Sequence, residues 1–408
     1  MALSATARIE SIASGGAGVA RVDGLVVFVP RTAPGDVVDI TYVKRDRLGQ
    51  GRVARVVEPS EVRVEPRCRH YIRDACGGCQ LQHVAYSAQL EAKRLMVRDA
   101  FARIARRPVD VPPVTPSPEA WEYRNKLTLA LRHQGVGWTA GLHRWDDADR
   151  IFALAECPIT NPRVVAGWRE VMAAAECLPK SASLRGAVRL LGNTLALVLE
   201  GGDEWTAAGE FATRCPSLGV VRWTDAAGGV HVVVDRAEED RPAASFAQVN
   251  ARMAEQLHAH VVAQVMTFEP ESVVDAYAGA GETAVLLSAR GVRVTAIEVD
   301  GEAAAHASRA LREPSLSACG RVEEILPRTL PADVVILNPP RTGVDPAVAA
   351  TLERAPPRAV VYVSCNPATL ARDVARLPSF RVAAVQPFDM FPQTTHVENV
   401  CVLVPEER

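Results

Sequence analysis

Short hydrophobic runs separated by turn residues occupy the first part of the chain. Val26 to Pro30 follows a glycine turn, the run 37–40 follows Pro34-Gly35, and a further run covers 53–57. Runs of this length at near-regular spacing, bounded by glycine and proline, are typical of short strands in all-β domains. The pattern therefore predicts a small β-barrel over residues 1–60.

The middle of the chain is less regular. Residues 84–104 carry apolar side chains on one helical face, and this spacing predicts a helix. Prolines cluster over 108–118 and favour an extended linker after that helix. The stretches 126–131 and 195–199 are typical of strands, so we expect a central mixed α+β domain over 61–243.

From about residue 244, apolar strands alternate with helical segments. Such alternation predicts a doubly wound, Rossmann-like α/β domain with a largely parallel sheet over 244–408. The last apolar run, 397–404, follows a loop without a helix, so we expect it to be antiparallel. The other strands are expected at 272–277, 292–299, 333–337 and 359–364, and helices at 282–290 and 301–312.

The charge distribution separates the N-terminal part from the rest. The 408 residues include 46 Lys and Arg against 48 Asp and Glu, a formal net charge of -2, which argues against a histone-like protein. Residues 1–110 nevertheless hold 18 basic and 12 acidic side chains, a net of +6, so the remainder carries -8. A basic lobe on a nearly neutral chain can be the footprint of polyanion binding; a chance excess on a solvated surface is the alternative.

The compartment also follows from the composition. The chain lacks a run of about 18 apolar residues and an N-terminal basic region followed by an apolar one, so we expect a cytoplasmic protein without a membrane span. Nine cysteines in a reducing compartment are then thiols, metal ligands or nucleophiles rather than a disulfide framework.

A glycine-containing turn marks a candidate cofactor site. Asp275-Ala-Tyr-Ala-Gly279-Ala-Gly281 lies where a predicted strand meets its helix, and glycines there let the backbone approach a ligand. Glu298, at the end of the next strand, can accept hydrogen bonds from a ribose. A plain strand-to-helix turn is the alternative. Only two of the three dinucleotide glycines are present, so S-adenosylmethionine is favoured over NAD.

A proline pair follows the strand 333–337. Asn338-Pro-Pro-Arg341 lies at the carboxyl edge, where ligands bind in such sheets. Amino-methyltransferases carry Asn-Pro-Pro followed by an aromatic residue, whereas Arg341 stands in that place here. A simple strand terminator is the other interpretation.

Cys365 follows the strand 359–364, which predicts a position at the same edge. A buried structural cysteine is the ordinary interpretation, yet the neighbouring cofactor turn favours a nucleophile. Methylation of pyrimidine C5 needs an attacking thiolate, because C5 of uracil is not nucleophilic until C6 is occupied. Glu398, near the C-terminus, supplies a carboxylate that can act as base.

Three cysteines lie close together in a glycine-rich segment. Cys68, Cys76 and Cys79 have spacings typical of a metal or iron–sulfur site, and Cys157 is the best distant candidate for a fourth ligand. A zinc ribbon and unliganded thiols are the alternatives.

Together these motifs resemble the RNA uracil-5-methyltransferase family over nearly the whole chain. Residues 15–21 with 28–30 look like its TRAM domain, an OB-like RNA-binding barrel. The segment 246–250 looks like the start of its catalytic domain. The segments 364–367 and 391–398 look like its nucleophile and base motifs.

The resemblance implies a mechanism and a set of ligands. Cys365 is expected to attack C6 of a flipped-out uracil, and Glu398 to remove the C5 proton. A [4Fe-4S] cluster is expected on Cys68, Cys76, Cys79 and Cys157. The implied contacts to S-adenosylmethionine are Gln248, Tyr277, Gly279, Gly281, Glu298 and Asn338.

The combination of barrel and cysteines resembles the branch acting on 23S ribosomal RNA, so we expect that substrate, with transfer RNA as the alternative, and a monomer. The chain departs from the family in having Asn338 for the usual Asp, Glu282 where Asn is frequent, and a short stretch between Ala310 and Asp333. A non-catalytic RNA-binding protein is the rival interpretation, and the presence of Cys365 and Glu398 argues against it.

Overall fold

Three sheets organise the chain. The structure is a computed structural model that describes residues 2–135, 137–236 and 248–406. It contains one closed barrel and two seven-stranded sheets. Within the described part of the chain, no helix is long and apolar enough to cross a membrane.

The N-terminal strands close into a barrel, which confirms the sequence prediction. Alternate side chains, among them Ile9, Val27 and Ile40, fill its interior while their neighbours face outward, as the two-residue period of a strand requires. The strands are β1 (Leu3–Ile12), β2 (Ala17–Val22), β3 (Leu25–Pro30), β4 (Val37–Arg45) and β5 (Leu48–Glu58), in the order β1-β2-β3-β5-β4.

Two helices separate the barrel from the second sheet. They are α1 (Arg69–Arg73) and α2 (Tyr86–Ala100), the latter continued by a π-helical turn at Phe101–Ala105. The helix expected over 84–104 is thus confirmed, with its last turn widened.

The second sheet is antiparallel except for one parallel pair and carries its helices on one face. Trp168 and Phe211 from those helices join a core with Leu129 and Leu197, and the strands expected at 126–131 and 195–199 are confirmed. In chain order the elements are β6 (Lys126–Gln134), β7 (Gly137–His143), β8 (Ile151–Ala153), α3 (Pro162–Ala173), β9 (Ser183–Leu191), β10 (Thr194–Glu200), α4 (Ala208–Arg214), β11 (Leu218–Thr224) and β12 (Val230–Asp235). The strand order is β12-β11-β10-β9-β6-β7-β8.

The third sheet is the expected doubly wound α/β layer. Its elements are α5 (Ala251–Met266), β13 (Ser272–Ala276), α6 (Glu282–Ser288), β14 (Arg293–Glu298), α7 (Gly301–Ala310), β15 (Leu316–Cys319), α8 (Val322–Thr329), β16 (Val334–Leu337), α9 (Pro346–Arg354), β17 (Ala359–Ser364), α10 (Pro367–Val374), β18 (Phe380–Phe388) and β19 (Glu398–Pro405). The strand order is β15-β14-β13-β16-β17-β19-β18.

Strands β13 to β17 of this sheet are parallel, and β19 is antiparallel to β17, as predicted for the last run. The sequence pattern does not predict β15 or α8. Strand β15 is four residues long and lacks a strong apolar run, and α8 contains Pro327, a residue that normally argues against a helix interior.

Helix α2 packs between the barrel and the third sheet, since Ala92 and Met96 share a cluster with Ile12 of the barrel. Val97 and Phe101 join the same core as Leu370 of α10. Lys93, one turn earlier, forms a wholly buried ion pair with Asp389 in the loop between β18 and β19. Burial lowers the pKa of the Lys93 amino group and the Asp389 carboxylate raises it. The helix therefore holds the segment that leads into β19.

Candidate active site

The chemistry-bearing residues converge on the carboxyl edge of the third sheet. Strands β13, β14, β16 and β17 are parallel, so the loops that follow them lie side by side. These loops carry, in chain order, Tyr277, Asp300, Asn338 and Cys365.

The turn after β13 has the backbone that its glycines predict. Gly279 and Gly281 have φ of 58° and 87°, and Tyr277 is also left-handed at 62°. A Cβ on Gly281 would lie 2.8 Å from the Cβ of Ala307, so this glycine allows close packing against α7. A Cβ on Gly279 would meet no atom within 4 Å, so the backbone there borders open space. The first glycine is thus the one available to a ligand.

Glu298 is held in place beneath this turn. Its Oε2 accepts a hydrogen bond from the Gly279 N–H at 2.8 Å, and its Oε1 accepts one from the Asp300 N–H at 2.8 Å. A carboxylate has about four acceptor sites, so it retains capacity for a ribose diol. The next side chain, Val299, is 67% exposed and offers an apolar surface beside it.

A second carboxyl group lies under the same turn. Asp275 is buried, and burial raises the pKa of its carboxyl to about 7, with Glu282 and Glu298 raising it further. Three acidic side chains around one turn create a negative potential. Such a potential suits a cofactor that carries a sulfonium and an ammonium group. The sequence analysis did not assign Asp275, although it begins the glycine motif.

Of two further expected cofactor contacts, the structure places Asn338 at this edge and Gln248 beside Asn125. The Asn338 N–H donates to the Ala276 carbonyl at 3.1 Å, which places Asn338 directly beside the start of the turn. Gln248 is half-buried, and its carbonyl accepts from the Asn125 side chain at 3.4 Å. The first part of the predicted segment 246–250, residues 246–247, lies outside the described residues.

Cys365 and Glu398 come together because β17 and β19 are neighbours. Ser364, the last residue of β17, pairs with Asn399, and the Asn399 side chain donates to the Ser364 carbonyl at 3.1 Å. Cys365 follows this pair on one strand and Glu398 precedes it on the other. Glu398 is 3% exposed, whereas Cys365 is partly accessible.

Glu398 influences the protonation of Cys365, and Arg341 influences that of both groups. Burial raises the pKa of the Glu398 carboxyl to about 7, and the Arg341 guanidinium opposes this rise. Burial also raises the pKa of the Cys365 thiol, Glu398 adds to the rise, and Arg341 lowers it. Arg341 therefore supplies the positive charge of this site, a role that sequence reasoning missed. The signal was available in its position after a strand of the same edge.

The four cysteines expected to bind a cluster also come together. Cys68, Cys76, Cys79 and Cys157 line one cavity of about 100 Å³. Burial raises the pKa of each thiol, and the neighbouring cysteines add to this for the first three. Among the described residues, however, no three histidine, cysteine or acidic side chains are close enough to hold a metal ion.

Two features of the cavity, its four thiols and the spacing between them, bear on the choice between a zinc ion and an iron–sulfur cluster. Four thiolates around one zinc ion lie about 2.3 Å from it and must crowd together. In a cubane each thiolate binds a different iron, so the sulfur atoms stay further apart and surround a larger space. Four thiols are a donor set for either a zinc ion or a cubane. The structure thus supports proximity of the four cysteines and leaves the cluster itself as a proposal.

The comparisons with known proteins agree with this geometry. A family model described as tRNA (Uracil-5-)-methyltransferase matches residues 310–406, and a TRAM domain model matches 5–47. A relative from Thermosynechococcus vestitus is 35% identical and covers 97% of both chains. Another, from Halalkalibacterium halodurans, is 32% identical and covers 97% of this chain and 95% of its own. Both bear the name uncharacterized RNA methyltransferase.

A solved structure shares the whole fold. The tRNA (uracil-54, C5)-methyltransferase of Pyrococcus abyssi, in complex with S-adenosyl-L-homocysteine, has a TM-score of 0.72 at 24% identity and covers 98% of this chain and 99% of its own. Fold, site and relatives define an S-adenosylmethionine-dependent RNA methyltransferase. The chain belongs to the RNA uracil-5-methyltransferase family.

Proposed function

We propose that this enzyme methylates C5 of a specific uridine in RNA and that its substrate is 23S ribosomal RNA. The observation that carries the reaction is the placement of Cys365 beside Glu398 and Arg341, at the sheet edge that bears the cofactor turn. The choice of ribosomal RNA depends on the combination of a TRAM barrel with four clustered cysteines. Transfer RNA is the competing substrate, since the neighbour from Pyrococcus abyssi is named for it.

The proposed reaction begins with the Cys365 thiolate. Its sulfur forms a bond to C6 of the uracil, and the electrons of the C5–C6 double bond move into an enolate. Positive charge at Arg341 stabilises the thiolate against burial and against Glu398. S-adenosylmethionine bound at the cofactor turn would supply the methyl group to C5, with its methyl–sulfonium bond breaking and S-adenosylhomocysteine leaving.

Glu398 completes the reaction. Its carboxylate takes the proton from C5, the electrons of that C–H bond re-form the double bond, and the bond between sulfur and C6 breaks. Burial excludes water from this carboxylate and brings its pKa to about 7, close to the value that suits a general base at neutral pH. Cys365 leaves as a thiolate and is ready for another cycle.

The cofactor contacts belong to the same proposal. We assign the ribose to Glu298, the adenine to the apolar surface of Val299, and the cationic part to the negative potential near Asp275. Asn338 lacks the charge of the family's Asp but keeps an acceptor oxygen. The remaining assigned contacts are Gln248, Tyr277, Gly279 and Gly281.

A group of cations beside the site suits an RNA backbone. Burial lowers the pKa of the half-buried Lys126, and Arg189, Arg185 and Arg124 lower it further, so these charges lie near one another. Lys126 pairs with Arg189 across β6 and β9. Arg124 also lowers the pKa of His396, two residues before Glu398. The half-buried members of this group, Lys126 and Arg124, lie between the second sheet and the catalytic loop and offer positive charge to RNA phosphates.

The RNA substrate is tested by mapping 5-methyluridine. We expect ribosomal RNA from a strain lacking this gene to lose 5-methyluridine at one or more positions of the large subunit, and the purified enzyme to restore it. Mass spectrometry of nuclease fragments from ribosomal and transfer RNA measures both. Loss confined to transfer RNA would show that transfer RNA is the substrate in place of ribosomal RNA. Unchanged 5-methyluridine in both RNAs would refute the proposed reaction.

The nucleophile is tested with a trapped adduct. Wild-type enzyme incubated with RNA containing 5-fluorouridine should form a covalent complex, because fluorine cannot leave C5 as a proton. Cys365→Ala should bind RNA and S-adenosylmethionine but form no complex and transfer no methyl group, as seen by denaturing gels and tritium transfer. Cys177→Ala, in the core of the second sheet, is the control and should retain both. Measurable turnover by Cys365→Ala would contradict the assignment.

The base is tested by the fate of the methylated adduct. With Glu398→Gln, the adduct between enzyme and methylated RNA should accumulate, because C5 keeps its proton. In the wild type, product release should rise with pH through about 7, since the raised pKa leaves the carboxyl protonated below that value. Glu398→Gln also removes a negative charge beside Cys365. The pKa of the Cys365 thiol should therefore fall, and its alkylation at neutral pH should become faster. If Glu398→Gln released product at the wild-type rate, a residue other than Glu398 would be the base.

We also propose a [4Fe-4S] cluster on Cys68, Cys76, Cys79 and Cys157. Anaerobically purified enzyme should hold about four iron and four sulfide per chain, the composition of a cubane on four thiolates. Cys157→Ser should lose iron, whereas Cys177→Ser and Cys215→Ser, in the core of the second sheet, should not. Stoichiometric zinc without acid-labile sulfide would replace the cluster by a zinc site.

A further inference from the structure

The loop that leads into Glu398 is held in place through hydrogen bonds to its backbone carbonyls. Three consecutive carbonyls accept hydrogen bonds from an earlier part of the chain. The Phe391 carbonyl accepts from Lys93 Nζ at 3.1 Å, and the Pro392 carbonyl from the Tyr123 hydroxyl at 3.0 Å. The Gln393 carbonyl accepts from the N–H groups of Leu81 and Gln80, at 2.9 and 3.1 Å.

Gln393 has an unfavourable backbone conformation. Its φ is +70°, a left-handed value that costs a residue other than glycine energy and persists only where the surroundings enforce it. The residue is 3% exposed, so water cannot replace its partners. The hydrogen bonds that Gln393 makes must therefore hold its backbone in this conformation.

Gln89 of α2 supplies two of those bonds, one to the backbone and one to the side chain of Gln393. Its Oε1 accepts from the Gln393 N–H at 3.0 Å, and its Nε2 donates to the Gln393 Oε1 at 3.0 Å. Its Nε2 also lies 2.8 Å from the Val84 carbonyl and 3.1 Å from the Leu81 carbonyl. Gln89 is 1% exposed. One amide thus ties the start of α2 to the catalytic loop.

We propose that Gln89 is a positioning residue for Glu398 and acts through Gln393. Holding Gln393 in its left-handed conformation fixes the direction in which the chain enters β19, whose first residue is Glu398. Gln89 itself touches neither the cysteine nor the base. The inference rests on the proposed role of Glu398, because it assigns Gln89 to the step that Glu398 performs.

The variant Gln89→Met tests this role, since methionine matches the length of glutamine and lacks its amide. Proton removal from C5 should slow, so the methylated RNA adduct should accumulate and kcat should fall about ten-fold, the change expected from loss of one or two buried hydrogen bonds. The KM for RNA should fall together with kcat, so that kcat/KM stays near the wild-type value, because the slowed step follows formation of the adduct. Formation of the 5-fluorouridine adduct, which precedes proton removal, should be unchanged.

Gln386→Met is the matched control. Gln386 also ties the C-terminal region to an earlier segment, since its Nε2 donates to the Pro113 carbonyl and to Thr115 Oγ1, both at 3.1 Å. These bonds do not involve Gln393, so the adduct should stay at the wild-type level. Gln89→Asn keeps an amide donor and acceptor on a side chain one methylene shorter, and it should accumulate less adduct than Gln89→Met. The asparagine variant also provides the measurement if the methionine variant does not fold.

A double variant separates positioning from a merely structural role. If Gln89 acts through Glu398, adding Gln89→Met to Glu398→Gln should raise the adduct no further, because both changes affect one step. Additive effects, or loss of activity with no adduct in both Gln89 variants, would overturn the proposal. Failure of Glu398→Gln alone to accumulate adduct would instead refute the proposed base, which keeps the two failures distinct.

Discussion

The loop between β18 and β19 imposes the constraint on which the active site depends. Its backbone is buried, and buried carbonyls must find partners within the protein. The partners come from α2 and from the segment after Cys79, about 300 residues earlier in the chain. The buried pair of Lys93 and Asp389 adds a charged contact that is costly to break on one side only. The position of Glu398 therefore depends on residues outside the catalytic sheet as well as on the pairing of β19 with β17.

Two acidic groups, the Cys365 thiol and the Glu398 carboxyl, share the active site. A nucleophilic thiolate and a carboxylate base are both needed in anionic form, yet Glu398 opposes ionisation of Cys365, and burial opposes ionisation of both groups. Arg341 offsets this for both groups. The two anions are needed at different steps, since the thiolate is consumed when it bonds to C6 before the carboxylate takes its proton. At neutral pH a carboxyl group with a pKa near 7 is protonated in much of the free enzyme. In that form it carries no negative charge that would oppose ionisation of the thiol.

The sequence predicts those parts of the site that depend on strand ends. Cys365, Asn338, Glu298 and Tyr277 each follow or end a parallel strand, and such strands finish at one edge by topology alone. It does not predict Arg341 as their neighbour, since the direction of a loop side chain is decided by packing. Nor does it predict Gln89, whose partner lies 304 positions away and whose pattern is that of any buried helix residue. Strand β15 was missed because four weakly apolar residues carry no periodicity.

The cysteine cavity lies on the same stretch of chain that anchors the catalytic loop. Cys79 is followed at once by Gln80 and Leu81, whose N–H groups hold the Gln393 carbonyl. Arg31, from the barrel, donates to the Cys76 carbonyl at 2.9 Å and lies over the ring of Tyr71, so the barrel is joined to the same segment. A rigid centre bound to these cysteines would fix the backbone between the barrel and the base without entering the chemistry. Because Cys157 lies far along the chain, such a centre would also close a long loop and so restrict the unfolded state.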